Sequence, residues 1–383
     1  MNKEEEKREE ICIKIIYWSF LSQLLFSVSR RLLSFMPNSV IICAVVSFAM
    51  LVVLFLKLLH IKKLSFNKYF LLSVLLATIL YLISLISGTP FDKILLYYPQ
   101  TIYGLSLLFI ALSIKDYANL YDYFSRYSFV ISIFSIFIIF VDRGTFVYNM
   151  HYSYIVLIAL CFHTLNLFND KKKIDFFYLL LDIVLILLFG SRGPILCYSF
   201  FLIMYVLFGN QKGYLKALFI TMITIVSFNV ERVLSTISDI TSLFGVRSRT
   251  ISLLISNPQH VSGRDIILQD TLALIKKNPV IGYGIAGEYK YLKDYPHNLF
   301  LDVIVHWGIV LGSLLIAGML YIIIKGLLYS KDKTRLLVLI FISYGLVMLF
   351  FSGTYISFDG FYILMGLSFG VIGNRNRRKN EKQ

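Results

Sequence analysis

The sequence predicts an all-α polytopic membrane protein with about twelve transmembrane helices and one large loop on the outer side of the membrane. Of its 383 residues, 58% are hydrophobic and only 15% are charged, and the mean hydropathy is +0.75. A soluble domain is about half apolar and about a quarter charged. Apolar runs of about 20 residues, long enough to cross the hydrocarbon core, recur along the chain. The basic residues lie in short blocks between these runs, as topology signals do.

The apolar runs define the predicted spans, whose bounds follow from length and hydropathy. A mixed-charge segment, residues 1–12, precedes the first run without a small-residue cleavage site, which predicts a cytoplasmic tail rather than a signal peptide. A basic segment, residues 374–383, follows the last run. The predicted spans are 13–29, 38–58, 67–87, 94–113, 127–142, 150–168, 174–190, 194–209, 213–230, 297–324, 335–352 and 356–373.

The basic blocks also predict the orientation of the chain. If the N-terminus is cytoplasmic, most Lys and Arg residues between spans lie inside, so both termini are expected in the cytoplasm. Nine spans then occupy residues 13–230, three occupy residues 297–373, and the loop 231–296 between them lies outside. A long loop in a compact protein is usually functional. The site is therefore expected on the outer face of the membrane.

Several kinds of chemistry are not indicated by the sequence. The turn Gly282–Gly287 matches GxGxxG, but a predicted helix ending at Asn278-Pro279 precedes it, whereas a dinucleotide site requires a strand there. No cofactor is expected. The cysteines lack the paired spacing of a zinc site and the outer loops lack paired acidic metal motifs, so no metal is expected. No basic stretch interleaves with aromatic residues, which argues against nucleic acid. The cysteines are Cys12, Cys43, Cys161 and Cys197.

Two outer arginines are candidate anion ligands. Arg192 lies in the tight turn 190–194, and its guanidinium can donate two hydrogen bonds to a phosphate. Arg264 begins the loop helix, where free backbone N–H groups and a guanidinium together favour an anion. The alternatives are that Arg192 extends to lipid headgroups and that Arg264 is a solvated charge. Arg247 and Arg249 are supporting candidates, although no local feature distinguishes them from surface charges.

His297 is the candidate catalytic residue, because a neutral imidazole at the outer boundary can accept a proton from a hydroxyl. It is otherwise a capping or interface residue. Asn298, Asp302 and His306 recur at four-residue intervals and share a helix face, which makes Asn298 and Asp302 supporting candidates. Ionisable groups at membrane depth usually face the protein interior and are functional or paired. The alternative is that Asp302 and His306 bond each other within the helix.

Three local motifs in order resemble the O-antigen polymerase and O-antigen ligase superfamily of bacterial envelope glycosyltransferases. The resemblance covers residues 191–312, and the first half of the chain matches only by hydropathy. The motifs are Ser191-Arg192-Gly193, Ser262-Gly263-Arg264-Asp265, and Pro279 through Gly282-Tyr283-Gly284 to His297-Asn298 and the helix containing Gly308 to Gly312.

The resemblance implies a class C glycosyltransferase fold in the bacterial cytoplasmic membrane and a donor oligosaccharide carried on undecaprenyl diphosphate. Arg192 and Arg264 would bind the diphosphate, and His297 would assist the attacking sugar hydroxyl. The reaction would be a metal-independent, inverting glycosyl transfer. Its product would be capsule or O-antigen, which is the polysaccharide part of lipopolysaccharide. The implied partners are the lipid-linked oligosaccharide, the bilayer, a chain-length regulator and a flippase.

The acceptor distinguishes three possible functions. A polymerase uses another lipid-linked repeat unit, whereas a ligase uses a sugar of the lipid A core. The divergent first half favours a polymerase, because such polymerases vary more than ligases do. A lipid-linked sugar flippase or other transporter also fits twelve spans, but its ionisable groups should gather at the bilayer midplane in related halves. Here the polar candidates gather at the outer edge.

Overall fold

A computed structural model describes residues 3–32, 39–60, 68–141, 150–169, 173–189, 192–209 and 264–380. These ranges form helices joined by turns and contain no strand, which confirms the predicted all-α class. A 3₁₀ turn covers Gly287–Lys290, and α11 continues into a π-helical segment and a 3₁₀ turn, Ile342–Leu346 and Val347–Phe350. The helices are α1 Lys3–Leu32, α2 Ser39–His60, α3 Lys68–Ile86, α4 Phe91–Leu112, α5 Tyr117–Val141, α6 Met150–Asn169, α7 Ile174–Leu188, α8 Gly193–Phe208, α9 Arg264–Lys277, α10 Leu299–Tyr329, α11 Asp332–Phe341 and α12 Asp359–Asn380.

Within the described ranges, 8 helices are long and apolar enough to cross a membrane, which agrees with a polytopic membrane protein. Helices α7 and α8, with 15 and 16 residues, and the 22-residue helix α12 also coincide with predicted spans. Helix α1 begins at Lys3, inside the segment predicted as a tail, and its first turn carries acidic residues that favour a helix N-terminus. The predicted span 213–230 and the loop as far as residue 263, with Arg247 and Arg249, lie outside the described residues.

The chain divides into two compact units. Unit 1 comprises residues 1–12, 58–117 and 261–383, and unit 2 comprises residues 13–57 and 118–260. In unit 1, α4 packs against α3 and α12, and α10 packs against α9 and α12.

Two glycines of α12 permit close packing inside unit 1. A Cβ on Gly366 would collide with the carbonyl oxygen of Leu108 in α4, and a Cβ on Gly370 would collide with the hydroxyl of Tyr117. Small residues at a four-residue interval let helix backbones approach closely in a membrane protein. Gly366 and Gly370 therefore have a packing role in α12.

Unit 2 contains a buried ionisable pair between α6 and α7. The Nδ1 atom of His163 lies 2.7 Å from Oδ2 of Asp182, and both side chains are inaccessible to solvent. The Asn166 side-chain amide donates to Asp175 Oδ1 at 3.2 Å in the same region. Polar groups buried among membrane helices usually pair with one another in this way. His163 and Asp182 were not among the polar candidates that the sequence predicted at the outer edge.

Candidate functional site

Helix α10 is broken at Gly308, whose backbone has φ 73° and ψ 173°. The break leaves the carbonyl groups of the preceding turn without their usual helical donors. Tyr283 N donates to Val305 O at 2.8 Å, and Gly284 N donates to His306 O at 3.0 Å. Buried backbone groups need such partners, so the glycine turn supplies hydrogen bonds that the broken helix requires.

The same contact continues on the other side of the break. Ile309 N donates to Pro279 O at 2.7 Å, and a Cβ on Gly308 would collide with the carbonyl oxygen of Val280. A positive φ and a close backbone approach both favour glycine. Gly308 therefore admits the turn that precedes its own helix.

The glycine turn itself begins where α9 ends. Helix α9 stops at Lys277, directly before Asn278-Pro279, as predicted. The Asn278 side-chain amide donates to Gly282 O at 2.5 Å, and Gly282 and Gly284 have φ values of 75° and 78°. A helix precedes this turn and a 3₁₀ turn follows it. The arrangement therefore agrees with the rejection of a dinucleotide fingerprint.

His297 lies at the end of this loop, next to a carboxylate. Its side chain is 12% exposed, and Nε2 lies 3.6 Å from Asp294 Oδ2. The Nδ1 atom is buried and has no hydrogen-bond partner among the described residues. If the proton resides on Nε2, which faces a carboxylate, the Nδ1 lone pair can accept a proton from a hydroxyl. The role of His297 as a general base toward a hydroxyl that reaches Nδ1 stays a prediction.

The charge beside His297 is set by Asp294. Burial raises the pKa of this carboxyl group. The contact with His297 and the hydrogen bond from Tyr295 N, at 2.9 Å, lower the pKa by more than burial raises it. The net pKa of Asp294 is below its usual value, so the group is a carboxylate near neutral pH. A carboxylate next to Nε2 favours a proton on that nitrogen and leaves Nδ1 as the acceptor.

Tyr295 contacts His297 and is affected by the charge of Arg264. The ring of Tyr295 lies 4.2 Å from that of His297, between centroids. Burial raises the pKa of the Tyr295 hydroxyl, while the hydrogen bond from Gly353 N and the positive charge of Arg264 act in the opposite direction. Arg264 is therefore within electrostatic reach of the tyrosine that contacts His297. Both predicted residues belong to unit 1.

Arg192 belongs to unit 2 and directly precedes α8, which has proline in its first turn. Its side chain is partly buried. A Cβ on the neighbouring Gly193 would collide with the hydroxyl of Tyr154, so glycine permits the close approach of α6 to this turn. The role of Arg192 as a diphosphate ligand stays a prediction from the sequence.

Asn298 caps α10. Its side-chain oxygen accepts hydrogen bonds from Phe300 N at 3.0 Å and Leu301 N at 3.3 Å, and its backbone is extended. The cap satisfies two of the N–H groups that a helix start leaves without intrahelical acceptors. The backbone of His297 has a positive φ of 54°, so the chain turns sharply just before the cap.

We expect Asn298→Ala to lower the free energy of unfolding by about 0.5–2 kcal/mol, because the cap is lost. The four cysteines are buried in the structure, so their exposure to a thiol-reactive dye on heating can report unfolding. Asn298→Asp keeps an accepting oxygen and should retain most of the stability. Wild-type stability in Asn298→Ala would contradict the capping role.

A second polar cluster lies deeper in unit 1, where Asp302 and His306 are almost fully buried. Thr354 Oγ1 donates to Asp302 Oδ2 at 2.6 Å. His306 Nε2 lies 2.8 Å from Glu288 Oε2, and its Nδ1 lies 3.0 Å from the Tyr355 hydroxyl. His306 Nε2 lies 3.7 Å from Asp302 Oδ1, which is longer than a hydrogen bond. The alternative that Asp302 and His306 bond only each other is therefore wrong.

Three members of this cluster were not predicted. Glu288 comes from the 3₁₀ turn, and Thr354 and Tyr355 come from the loop before α12, so no local sequence pattern joins them to α10. The four-residue interval of Asp302 and His306 was the available signal. It predicted buried, partnered groups at membrane depth, and the structure confirms that both side chains have partners.

Residues 177–316 match the family model described as O-antigen ligase (Wzy_C). The match covers somewhat more than a third of the chain and includes Arg192, Arg264 and His297. It confirms the predicted resemblance to the O-antigen ligase and polymerase superfamily. No curated protein and no solved structure was found to match the chain.

Proposed function

We propose that this membrane protein is a polysaccharide polymerase. The proposal starts from the match of residues 177–316 to the O-antigen ligase family model. It joins undecaprenyl-diphosphate-linked oligosaccharide repeat units on the outer face of the bacterial cytoplasmic membrane. The observation that supports the chemistry best is His297, whose Nδ1 is buried without a hydrogen-bond partner in the described part of the chain, while Nε2 faces Asp294.

The proposed reaction is a single displacement at the anomeric carbon of the donor sugar. The acceptor hydroxyl oxygen forms a bond to that carbon, and the bond between the carbon and the diphosphate oxygen breaks. The hydroxyl proton moves to Nδ1 of His297, and the Asp294 carboxylate stabilises the imidazolium that forms. One displacement inverts the configuration at the anomeric carbon, and no metal takes part in the bond changes.

The leaving group is undecaprenyl diphosphate, which gains negative charge as the glycosidic bond breaks. Arg264 at the start of α9 supplies a guanidinium and adjacent helix N–H groups, and both favour an anion. Preorganised positive charge at such a position lowers the free energy of the transition state. Arg192 is proposed as a second diphosphate ligand, with Arg247 and Arg249 as supporting residues, on sequence grounds.

The proposed function is tested with lipid-linked repeat units isolated from a strain that lacks this protein. A polymerase incubated with these units alone should produce lipid-linked chains of two or more repeats and release undecaprenyl diphosphate. Mass spectrometry of the glycolipids measures both products. A purified, folded protein that forms no glycosidic bond, but moves the lipid-linked unit across vesicle membranes, would instead identify a flippase.

A ligase is the second candidate, because the matched family model is described as O-antigen ligase. The same donor would then give no product by itself and would react only after lipid A core is added. The two functions share the donor and the residues proposed here, so the acceptor requirement decides between them. A product that appears without lipid A core would exclude ligation as the sole activity.

We expect Arg264→Lys to lower the turnover of lipid-linked donor by about 10- to 100-fold, because lysine keeps the charge but loses the two-pronged hydrogen bond. The exposed residue Lys276 provides a control, since Lys276→Arg exchanges one basic side chain for another at the opposite end of the same helix from Arg264. Unchanged turnover in Arg264→Lys, with normal protein levels, would indicate that Arg264 is only a solvated charge.

A further inference from the structure

Three potential ligand atoms converge beside the break in α10. They are Oε2 of Glu288, Oδ1 of Asp302 and Nε2 of His306. The three residues offer one ligand atom each, and these atoms lie within 4.8 Å of one another. All three side chains are buried. Glu288 belongs to the 3₁₀ turn, whereas Asp302 and His306 belong to α10. A cation bound by all three residues would therefore link the 3₁₀ turn to α10.

The other polar side-chain atoms of Asp302 and His306 already have hydrogen-bond partners. Thr354 donates to Asp302 Oδ2, and the Tyr355 hydroxyl lies at hydrogen-bond distance from His306 Nδ1. Trp307 Nε1 also donates to the Tyr355 hydroxyl oxygen, which can accept a second hydrogen bond from Nδ1–H of His306. Such outer contacts orient metal ligands and select the histidine tautomer with a lone pair on the inner nitrogen.

The inner oxygen of Asp302 has no hydrogen-bond partner among the described residues. It points toward the cluster, since it lies 3.7 Å from Nε2 of the buried His306 imidazole. A buried polar atom without a partner costs free energy, and a carboxylate oxygen costs more than a neutral one. In the described part of the chain this carboxylate oxygen therefore faces an imidazole and a second carboxylate, an arrangement that suits a bound cation.

The charge of the cluster leads to the same conclusion. Glu288 and Asp302 contribute two carboxyl groups, and in the described part of the chain His306 is the basic residue within ion-pair distance of either. One imidazolium would compensate one carboxylate, whereas a divalent cation compensates both. Buried charges are normally paired or bound to a metal ion.

From this convergence we infer that Glu288, Asp302 and His306 bind a divalent metal ion of the zinc or manganese class. One imidazole and two carboxylates are a mixed nitrogen and oxygen donor set, which suits Zn²⁺ or Mn²⁺ better than Ca²⁺ or Mg²⁺. Ligand atoms at about 2.0–2.2 Å from zinc lie roughly 3–3.6 Å from one another. The distances of 2.8 and 3.7 Å from His306 Nε2 therefore need shifts of a few tenths of an ångström, and the two carboxylate oxygens lie within 4.8 Å of each other.

The ion would brace the glycine turn against α10 and take no part in the glycosyl transfer proposed above. Its presence does not depend on that function. The sequence alone predicted no metal, because the three ligands form no recognisable motif. The turn and the helix bring them together.

The test measures metal bound to the full-length protein, purified through a tag without histidines so that the tag binds no metal. We expect about one Zn²⁺ or Mn²⁺ per chain by inductively coupled plasma mass spectrometry. Chelator treatment should remove the ion and lower the melting temperature, measured by exposure of the buried cysteines, and Zn²⁺ or Mn²⁺ should restore it. A metal-free wild-type protein whose melting temperature responds to neither ion would overturn the inference and leave a cluster that shares protons.

Two variants locate the ion. Asp302→Asn should abolish stoichiometric binding, and Thr354→Val, which removes an outer contact, should weaken the affinity by about 10- to 100-fold. Asp182→Asn is the matched control, because Asp182 is also buried and paired with a histidine but belongs to unit 2. Wild-type affinity in a folded Thr354→Val protein would overturn the assignment even if Asp302→Asn failed to fold.

Discussion

Replacing His297 by alanine should lower the rate of glycosidic bond formation about 10²- to 10⁴-fold, the usual effect of removing a general base. The loss follows from the environment of the imidazole, since Nε2 faces the Asp294 carboxylate and Nδ1 has no partner among the described residues. The variant should still insert into the membrane, because His297 lies in a loop and not in a membrane helix, and its melting temperature reports whether the loop still folds. Cells carrying it should accumulate single lipid-linked repeat units.

The measurement is the rate of product formation by purified protein with lipid-linked donor, compared with the melting temperature of the same preparation. Lys293→Ala is the matched control, because Lys293 is an exposed residue of the same loop. A folded His297→Ala protein with near-normal turnover would show that His297 only shapes the start of α10. His297→Gln, which retains hydrogen bonding but is a very weak base, should be as slow as the alanine variant if proton transfer is the role.

Gly308→Ala should have the largest effect on the structure. An alanine at φ 73° is strained by about 1–3 kcal/mol, and its Cβ would also collide with the carbonyl oxygen of Val280. The turn would have to move away from α10, which would break the hydrogen bonds from Tyr283 and Gly284 to the helix. We expect a lower melting temperature and a loss of activity, because this turn leads to His297.

Gly318 provides a matched control on the same helix. A Cβ on Gly318 would meet nothing within 4 Å, so Gly318→Ala should leave stability unchanged or raise it by about 0.5–1 kcal/mol. Comparison of the two glycine variants separates the special conformation at residue 308 from the general effect of adding a methyl group to α10. Equal stability of the two variants would contradict the helix break.

The sequence by itself determined the class of protein and many helix boundaries. Hydropathy is a sum over neighbouring residues, so apolar runs of sufficient length predicted the membrane helices without knowledge of their partners. Local chemistry likewise predicted the end of α9 at Asn278-Pro279. The ordered motifs around Arg192, Arg264 and His297 predicted the superfamily that residues 177–316 match.

Only the tertiary structure decided how the polar residues of unit 1 are used. The break at Gly308 depends on backbone hydrogen bonds from a turn more distant in sequence, so the apolar run around it predicted one continuous helix. The partners of Asp302 and His306 come from two other segments, Glu288 from the 3₁₀ turn and Thr354 and Tyr355 from the loop before α12. Hydrophobic periodicity is a local property, whereas the pairing of buried polar groups depends on which segments fold against one another.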